Sequence, residues 1–334
     1  MPGIGVISNK NARLNRLHPG IRDRMAFVVG RDGEVASTGT LDDTQKAVQE
    51  FRRVDVDMLA ISGGDGTAHR TLEVVIAEYG ATPPPPILLL PTGTQNMVPN
   101  SFGIRTSGVA TLLLAQARYR HNVPIKSVRR NLLRVNNHLS FMCGLGVAPR
   151  FLKEYYGRGK TTPWGAIQLL GEYALDALRG GKVARELAKP CAARIQVDGG
   201  PARRIECHTF FASFVEELAL RFRCFPRAGW DEGVFEVLIG SGQPSSVARA
   251  IPSLWAGSVG RREGLERLLS RSLVLELDAP EPYTLDGEVY EPTRSFEISA
   301  GPELSFVVPG LRLRRLDPRI RTGQIGPWSF RFLV

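Results

Sequence analysis

The chain has 334 residues, 43% hydrophobic and 23% charged, with a formal net charge of +10. That length suits two domains, each able to bury its own core without disulfide or metal staples, and the composition excludes a disordered tail. No run approaches the roughly 20 apolar residues that span a bilayer, and Met1-Pro2-Gly3-Ile4-Gly5 lacks the blocks of a signal peptide, so a soluble, cytoplasmic protein is expected.

The first third alternates strands and helices. Residues 3–8 are apolar and 41–51 are helical in pattern; 57–62 are apolar again, and 67–79 set Leu72, Val75, Ile76 and Tyr79 on one helical face. After the breaker at 83–86, residues 87–90 form another apolar run that ends in Pro91-Thr92-Gly93-Thr94. Short, fully apolar strands alternating with amphipathic helices predict a parallel sheet covered on both faces. From about Pro124 the texture changes to β-rich segments at 131–135, 194–197, 235–239, 273–277 and 296–299, which predict a second, mainly antiparallel domain. One helix, 164–178, interrupts it, with Ile167, Leu170, Ala174 and Leu178 among its apolar positions; it reads as a core or interdomain helix.

Cys143, Cys191, Cys207 and Cys224 lie far apart without Cys-x-x-Cys spacing, which predicts reduced, buried thiols rather than a metal cluster. The positive charge favours an anionic partner. The dense basic run at 312–321 has no DNA- or RNA-binding motif beside it, so nucleic acid is not expected.

Gly63, Gly64 and Gly66 in the loop Ser62-Gly63-Gly64-Asp65-Gly66-Thr67 follow a strand and precede a helix. Such glycines can take positive φ and present N–H groups to a ligand, and Thr67 can act as N-cap at the positive end of the helix dipole. This pattern binds phosphate. Asp65 would repel phosphate unless it holds magnesium or takes a proton, the plainer alternative being an Asp-Gly turn. Asn9 ends the first strand, and Thr94 and Asn96 lie in the loop after the strand at 87–90. In a doubly wound sheet these loops converge on one crevice, where Thr94 and Asn96 would hydrogen-bond a nucleotide or simply cap the loop. Gly157-Arg158-Gly159-Lys160-Thr161 imitates the end of a Walker A loop, but Glu154 stands where its first glycine belongs, so a solvated basic turn is expected.

Together these residues resemble the diacylglycerol kinase catalytic family, which includes sphingosine and ceramide kinases. The matching segments are Gly5-Val6-Ile7-Ser8-Asn9, the loop from Ser62 to Thr67, Pro91-Thr92-Gly93-Thr94-Gln95-Asn96 and Phe102-Gly103-Ile104. Later come Phe141-Met142-Cys143-Gly144-Leu145-Gly146, Trp230-Asp231-Glu232-Gly233-Val234-Phe235-Glu236-Val237 and Leu285-Asp286-Gly287-Glu288. The resemblance implies an α/β nucleotide-binding domain with a parallel sheet (1–124), a mainly antiparallel β-sandwich domain for a lipid substrate (125–309) and a tail (310–334), with ATP and lipid meeting in the cleft between the domains. It implies ATP and Mg²⁺ as cofactors, Glu288 as proton acceptor for the lipid hydroxyl, and Asp65 beside the γ-phosphate and magnesium. Asp286-Gly287 also reads as a hairpin turn. By the same resemblance Thr38 or Thr40 touches the nucleotide, and Asp231 and Glu232 fall where bacterial members hold a structural magnesium. The helix at 164–178 then has an alternative role as a wall of a lipid-binding cleft.

Three departures stand out. Lys10 replaces the proline usual after Asn9, Arg70 replaces a glutamate, and residues 211–223 lack the expected glycine- and asparagine-rich loop. Two other readings compete with a lipid kinase. An NAD kinase would carry an Asn-Glu pair soon after the glycine loop, which this chain lacks; a catalytically silent nucleotide- or lipid-binding protein would explain the departures. A lipid kinase implies transient contact with the inner face of the membrane, to which the run at 312–321 followed by Trp328, Phe330 and Phe332 could contribute unless it packs back as a strand. A homo-oligomer is a further expectation.

Overall fold

The computed structural model describes residues 3–159, 162–258, 264–310 and 320–323. The chain divides into two compact units: one runs to Arg130 and resumes at Glu303, and the other is Asn131–Pro302. The α/β unit therefore includes residues 125–130 and 303–309, which the resemblance places in the β-rich domain.

In the first unit β1 (Ile4–Asn9), β2 (Gly33–Thr38), β3 (Met58–Gly63) and β4 (Ile87–Pro91) pair in parallel in the order β2-β1-β3-β4. The connections are α1 (Arg13–Leu17) and α2 (Ile21–Val29), then α3 (Leu41–Arg53), then α4 (Asp65–Tyr79), followed by α5 (Met97–Ser101) and α6 (Gly108–Arg120). Alternate residues of the strands face opposite layers. Ile4, Val6, Met58, Ala60, Leu88 and Leu90 pack on Met25 and Val29 of α2 and Leu112, Ala115 and Tyr119 of α6. Ile7 and Leu59 pack on Val48 and Phe51 of α3 and Val75 and Tyr79 of α4. Burial on both faces is why these strands read as unbroken apolar runs. The chain leaves the unit within β5 (Ile125–Val135).

The second unit contains β6 (His138–Ser140), β7 (Met142–Gly146), α7 (Val147–Gly157), α8 (Pro163–Leu178), α9 (Lys182–Leu187), β8 (Cys191–Val197), β9 (Arg203–Cys207), β10 (Thr209–Ser213), β11 (Phe235–Gly240), α10 (Pro244–Ala256), β12 (Leu265–Ser270), β13 (Ser272–Leu285) and most of β14 (Glu288–Val308). Its strands pair antiparallel. The first half of β13, Leu273 to Leu277, pairs with β8, whereas Tyr283 to Leu285 pair with β7; the register breaks between Glu276 and Tyr283. An irregularity of this kind lets one strand take different neighbours along its length. One core lies among them, including Phe210, Phe214, Phe235, Leu275, Leu285 and Phe296. The fold class expected from sequence, a parallel α/β unit followed by a mainly antiparallel β-rich unit, is the one observed.

The expected helix forms as α8, capped by Thr162, whose side chain accepts the Gly165 N–H. It corrects the expected inner face: Ala166, Leu169 and Ala177 are buried, while Ile167 and Leu178 are exposed. Among the described residues no helix is long and apolar enough to cross a membrane. Of the basic run at 312–321 only the last two residues fall in a described segment, β15 (Ile320–Gly323), whose backbone pairs antiparallel with β5; Trp328, Phe330 and Phe332 lie outside the described residues, as do Lys160 and Thr161.

Candidate active site

The strand order places a topological switch point at β1 and β3, and ligands of such sheets sit outside the carboxyl ends of those strands. Asn9 ends β1 and Gly63 ends β3. Gly64 (φ −88°) is the N-cap of the 15-residue α4, and no side chain caps that end. The positive end of the helix dipole is left for a ligand.

The glycines earn their place differently from the sequence expectation. Gly63, Gly64 and Gly66 are not among the positive-φ residues. They allow close approach instead. A Cβ on Gly63 would lie 2.3 Å from Thr67 Cβ, and one on Gly93 would lie 2.3 Å from Gly64 Cα. The two loops thus touch backbone to backbone, with Thr92 N–H donating to Gly63 O at 3.2 Å. Thr67 is likewise not the N-cap: it stands inside the first turn, where its Oγ1 accepts from Asn9 Nδ2 at 2.8 Å.

Asn9 is itself held in place. Its Oδ1 accepts Asn11 N–H at 2.8 Å and its carbonyl accepts Asn15 Nδ2 at 2.8 Å. Asn15 also reaches Ser62 Oγ at 3.3 Å, and Ser62 lies 3.3 Å from Thr92 Oγ1. This small polar lattice joins the ends of β1, β3 and β4. The sequence reading missed Asn15 because nothing in a five-residue helix marks one asparagine as an organiser.

Asp65, the first residue of α4, accepts the N–H groups of Met97 (3.0 Å) and Val98 (3.1 Å) and so caps α5. Asn96 supports the same loop from a left-handed conformation (φ 50°), its side chain accepting Gly93 N–H at 2.9 Å and donating to Gly93 O at 3.2 Å. Thr94 is half-buried between them. On the other side of β1, the Thr38 side chain is buried and its carbonyl accepts Lys10 N–H at 2.9 Å. Thr40 caps α3 in a capping box with Asp43. The N–H of Gly39 and the Thr40 cap hold the Asp43 carboxyl below its ordinary pKa.

In the second unit Asp286 (φ 48°) and Gly287 (φ 90°) make the two-residue hairpin turn between β13 and β14, as the sequence suggested. The Asp286 carboxylate is buried, accepting N–H groups of Phe141 (3.0 Å) and Met142 (3.0 Å). Glu288 follows as the first residue of β14, half-buried and opposite Leu285. Tyr156 Oη donates to Gly287 O at 3.1 Å. Asp231 and Glu232 are exposed in the turn before β11, where Arg271 Nη1 donates to the Glu232 carbonyl at 2.8 Å.

Asp65 belongs to the first unit and Asp231, Glu232 and Glu288 to the second. Among the described residues no group of three or more His, Cys, Asp and Glu side chains forms a metal cluster. Magnesium in phosphoryl transfer needs less, one or two carboxylates plus the phosphates themselves, and Asp65, at the start of α4, is a carboxylate of the kind such a site uses. The uncapped end of α4 fits a nucleotide phosphate directly.

Residues 7–128 match the family model of the diacylglycerol kinase catalytic domain. Solved structures from Bacillus anthracis str. Sterne share the fold. One, a candidate diacylglycerol kinase, is 17% identical with a TM-score of 0.65 over 91% of this chain and 96% of its own. Another, described as a diacylglycerol kinase, is 14% identical with a TM-score of 0.60 over the same shares. At such identities the likeness is one of fold. A search of curated proteins found no match.

Proposed function

We propose that the chain is an ATP-dependent kinase that phosphorylates a lipid hydroxyl. The supporting observation is the uncapped N-terminus of α4 at the switch point of the sheet, with Asn9 and Gly93 holding its two flanking loops, within a stretch that matches a kinase catalytic domain. In this reading the first-turn N–H groups of α4 receive the phosphates. Thr94, Asn96 and the segment Thr38 to Thr40 line the rest of the nucleotide, and Asp65 fixes the loop opposite. Asp65 would help hold magnesium that arrives with ATP, and the ion would supply charge neutralisation at the phosphates. The lipid oxygen forms a bond to the γ-phosphorus as the bond to the bridging oxygen of ADP breaks, and Glu288 takes the hydroxyl proton.

The test is transfer of label from [γ-³²P]ATP by purified protein to diacylglycerol, sphingoid bases and NAD, the lipids dispersed in detergent. Labelled lipid, lost in Glu288→Gln while nucleotide binding persists, supports the reading. Labelled NAD supports an NAD kinase instead, and nucleotide binding without any transfer indicates a silent scaffold.

A further inference from the structure

Helix α8 turns large apolar side chains outward. At 3.6 residues per turn, positions 164, 167, 171, 175 and 178 fall within one arc. Trp164 is 73% exposed, Ile167 46%, Leu175 54% and Leu178 54%. A Cβ at Gly171, in mid-stripe, would meet nothing within 4 Å. The inward residues are smaller or fewer: Ala166 and Leu169 pack with Tyr155 of α7, and Ala177 is buried further along. Single exposed leucines are ordinary on a protein surface; a continuous stripe of this kind marks a surface that something covers.

Charge indicates what covers it. The stripe runs into a turn and α9, where Val183 is 57% exposed and Arg179, Lys182, Arg185 and Lys189 are all exposed. Two nearby acids are already engaged: Glu172 receives Arg158 at 2.7 Å, and Asp176 accepts the Ala184 N–H at 2.7 Å. Glu186 is the only other acid on this hairpin. Four cations at one end of an apolar arc headed by tryptophan match a helix lying in the plane of an anionic bilayer, its apolar chains inserted and its cations among the headgroups.

We infer that the α8 stripe, with the α9 cations, docks the protein on an anionic membrane surface. The inference rests on the lipid-kinase reading for its purpose, and it locates the docking face on a helix rather than in the basic tail. The face and the proposed base belong to the same unit. α7 packs against α8 through Phe151 and Tyr155, and its Tyr156 holds the turn that precedes Glu288.

The experiment is co-sedimentation of the full chain with vesicles of phosphatidylcholine alone and of phosphatidylcholine with phosphatidylglycerol. The wild type should sediment with the anionic vesicles and be released by salt. Ile167→Glu with Leu175→Glu, and separately Lys182→Glu with Arg185→Glu, should each lower the vesicle partition coefficient about tenfold or more. Circular dichroism and the melting temperature should stay unchanged, because all four side chains face solvent; the milder Leu175→Ser should show a smaller loss. Wild type left in the supernatant, or variants that sediment as well as wild type, overturns the inference. So does a dimer that the same substitutions split without any vesicle binding, which would assign the stripe to a second copy of the chain. Transfer to detergent-dispersed lipid should be unaffected by the substitutions. If wild type transfers nothing there, the kinase reading fails while the vesicle result still stands or falls by itself.

Discussion

The Asp65 carboxylate accepts the amide hydrogen of Met97 at 3.0 Å, so the residue that opens α4 also anchors the start of α5. Asp65→Ala should leave the N–H groups of Met97 and Val98 without their acceptor and cost about 1–3 kcal/mol in denaturant unfolding. Asp65→Asn keeps one oxygen acceptor and should lose less. Transfer activity should follow the same order if the residue acts by holding the loop. If it must also face magnesium, Asn and Ala should be equally inactive.

The contact between Gly64 and Gly93 makes a second prediction. A methyl group on Gly93 meets backbone, not a flexible side chain, so the loops must separate. Gly93→Ala should cost about 1–3 kcal/mol in melting experiments and raise the KM for ATP about tenfold or more. Unchanged kinetics would mean the two loops do not jointly frame the nucleotide.

A buried pair in the second unit gives a pH signature. Glu236 lies 2.9 Å from Arg267 and accepts the Arg227 N–H at 2.8 Å, yet burial raises its pKa above the ordinary value. Arg267→Ala should cost about 3–5 kcal/mol near neutral pH by leaving that charge uncompensated. A raised folded-state pKa means the folded protein holds the proton more tightly. The stabilising contribution is therefore complete below the unfolded-state value and is lost as pH rises through the folded value. The Arg267→Ala deficit should shrink on acidification, as urea unfolding at several pH values would show.

The cysteines supply a chemical test of burial. Cys143, Cys191, Cys207 and Cys224 are free and buried. Desolvation pushes Cys207 and Cys224 up to about 12 and Cys143 upward as well. The thiolate is the reactive form, so a disulfide reagent at neutral pH should leave the native protein unlabelled and titrate all four thiols after unfolding in guanidinium.

The parallel sheet was legible because strands buried on both faces must be apolar along their whole length, as at 58–61. The hairpin at Asp286-Gly287 was legible because a two-residue turn with both φ values positive selects such a pair. The glycine loop was legible as a phosphate motif, but its internal workings were not. Whether Gly63 serves a turn or a close approach depends on Thr67 folding back over it, and the sequence does not record that contact. Nor could the pattern of α8 say which side faces the core: period 3.6 fixes an arc, while its direction is set by what α7 offers in return. Asn15 escaped notice because its partners Ser62 and Asn9 become neighbours only when β1 and β3 pair.

Phe306, near the end of β14, pairs in parallel with Ile87 of β4 and its ring lies tilted 4.8 Å from that of Phe102, while Val307 joins the core shared with α2 and α6. These residues are made long after the rest of their unit. On the ribosome the α/β sheet must wait, with one flank of β4 uncovered, until the whole of Asn131–Pro302 has been synthesised. A fragment cut to residues 7–128, the stretch the family match delimits, would keep that flank open permanently and should be sticky in solution.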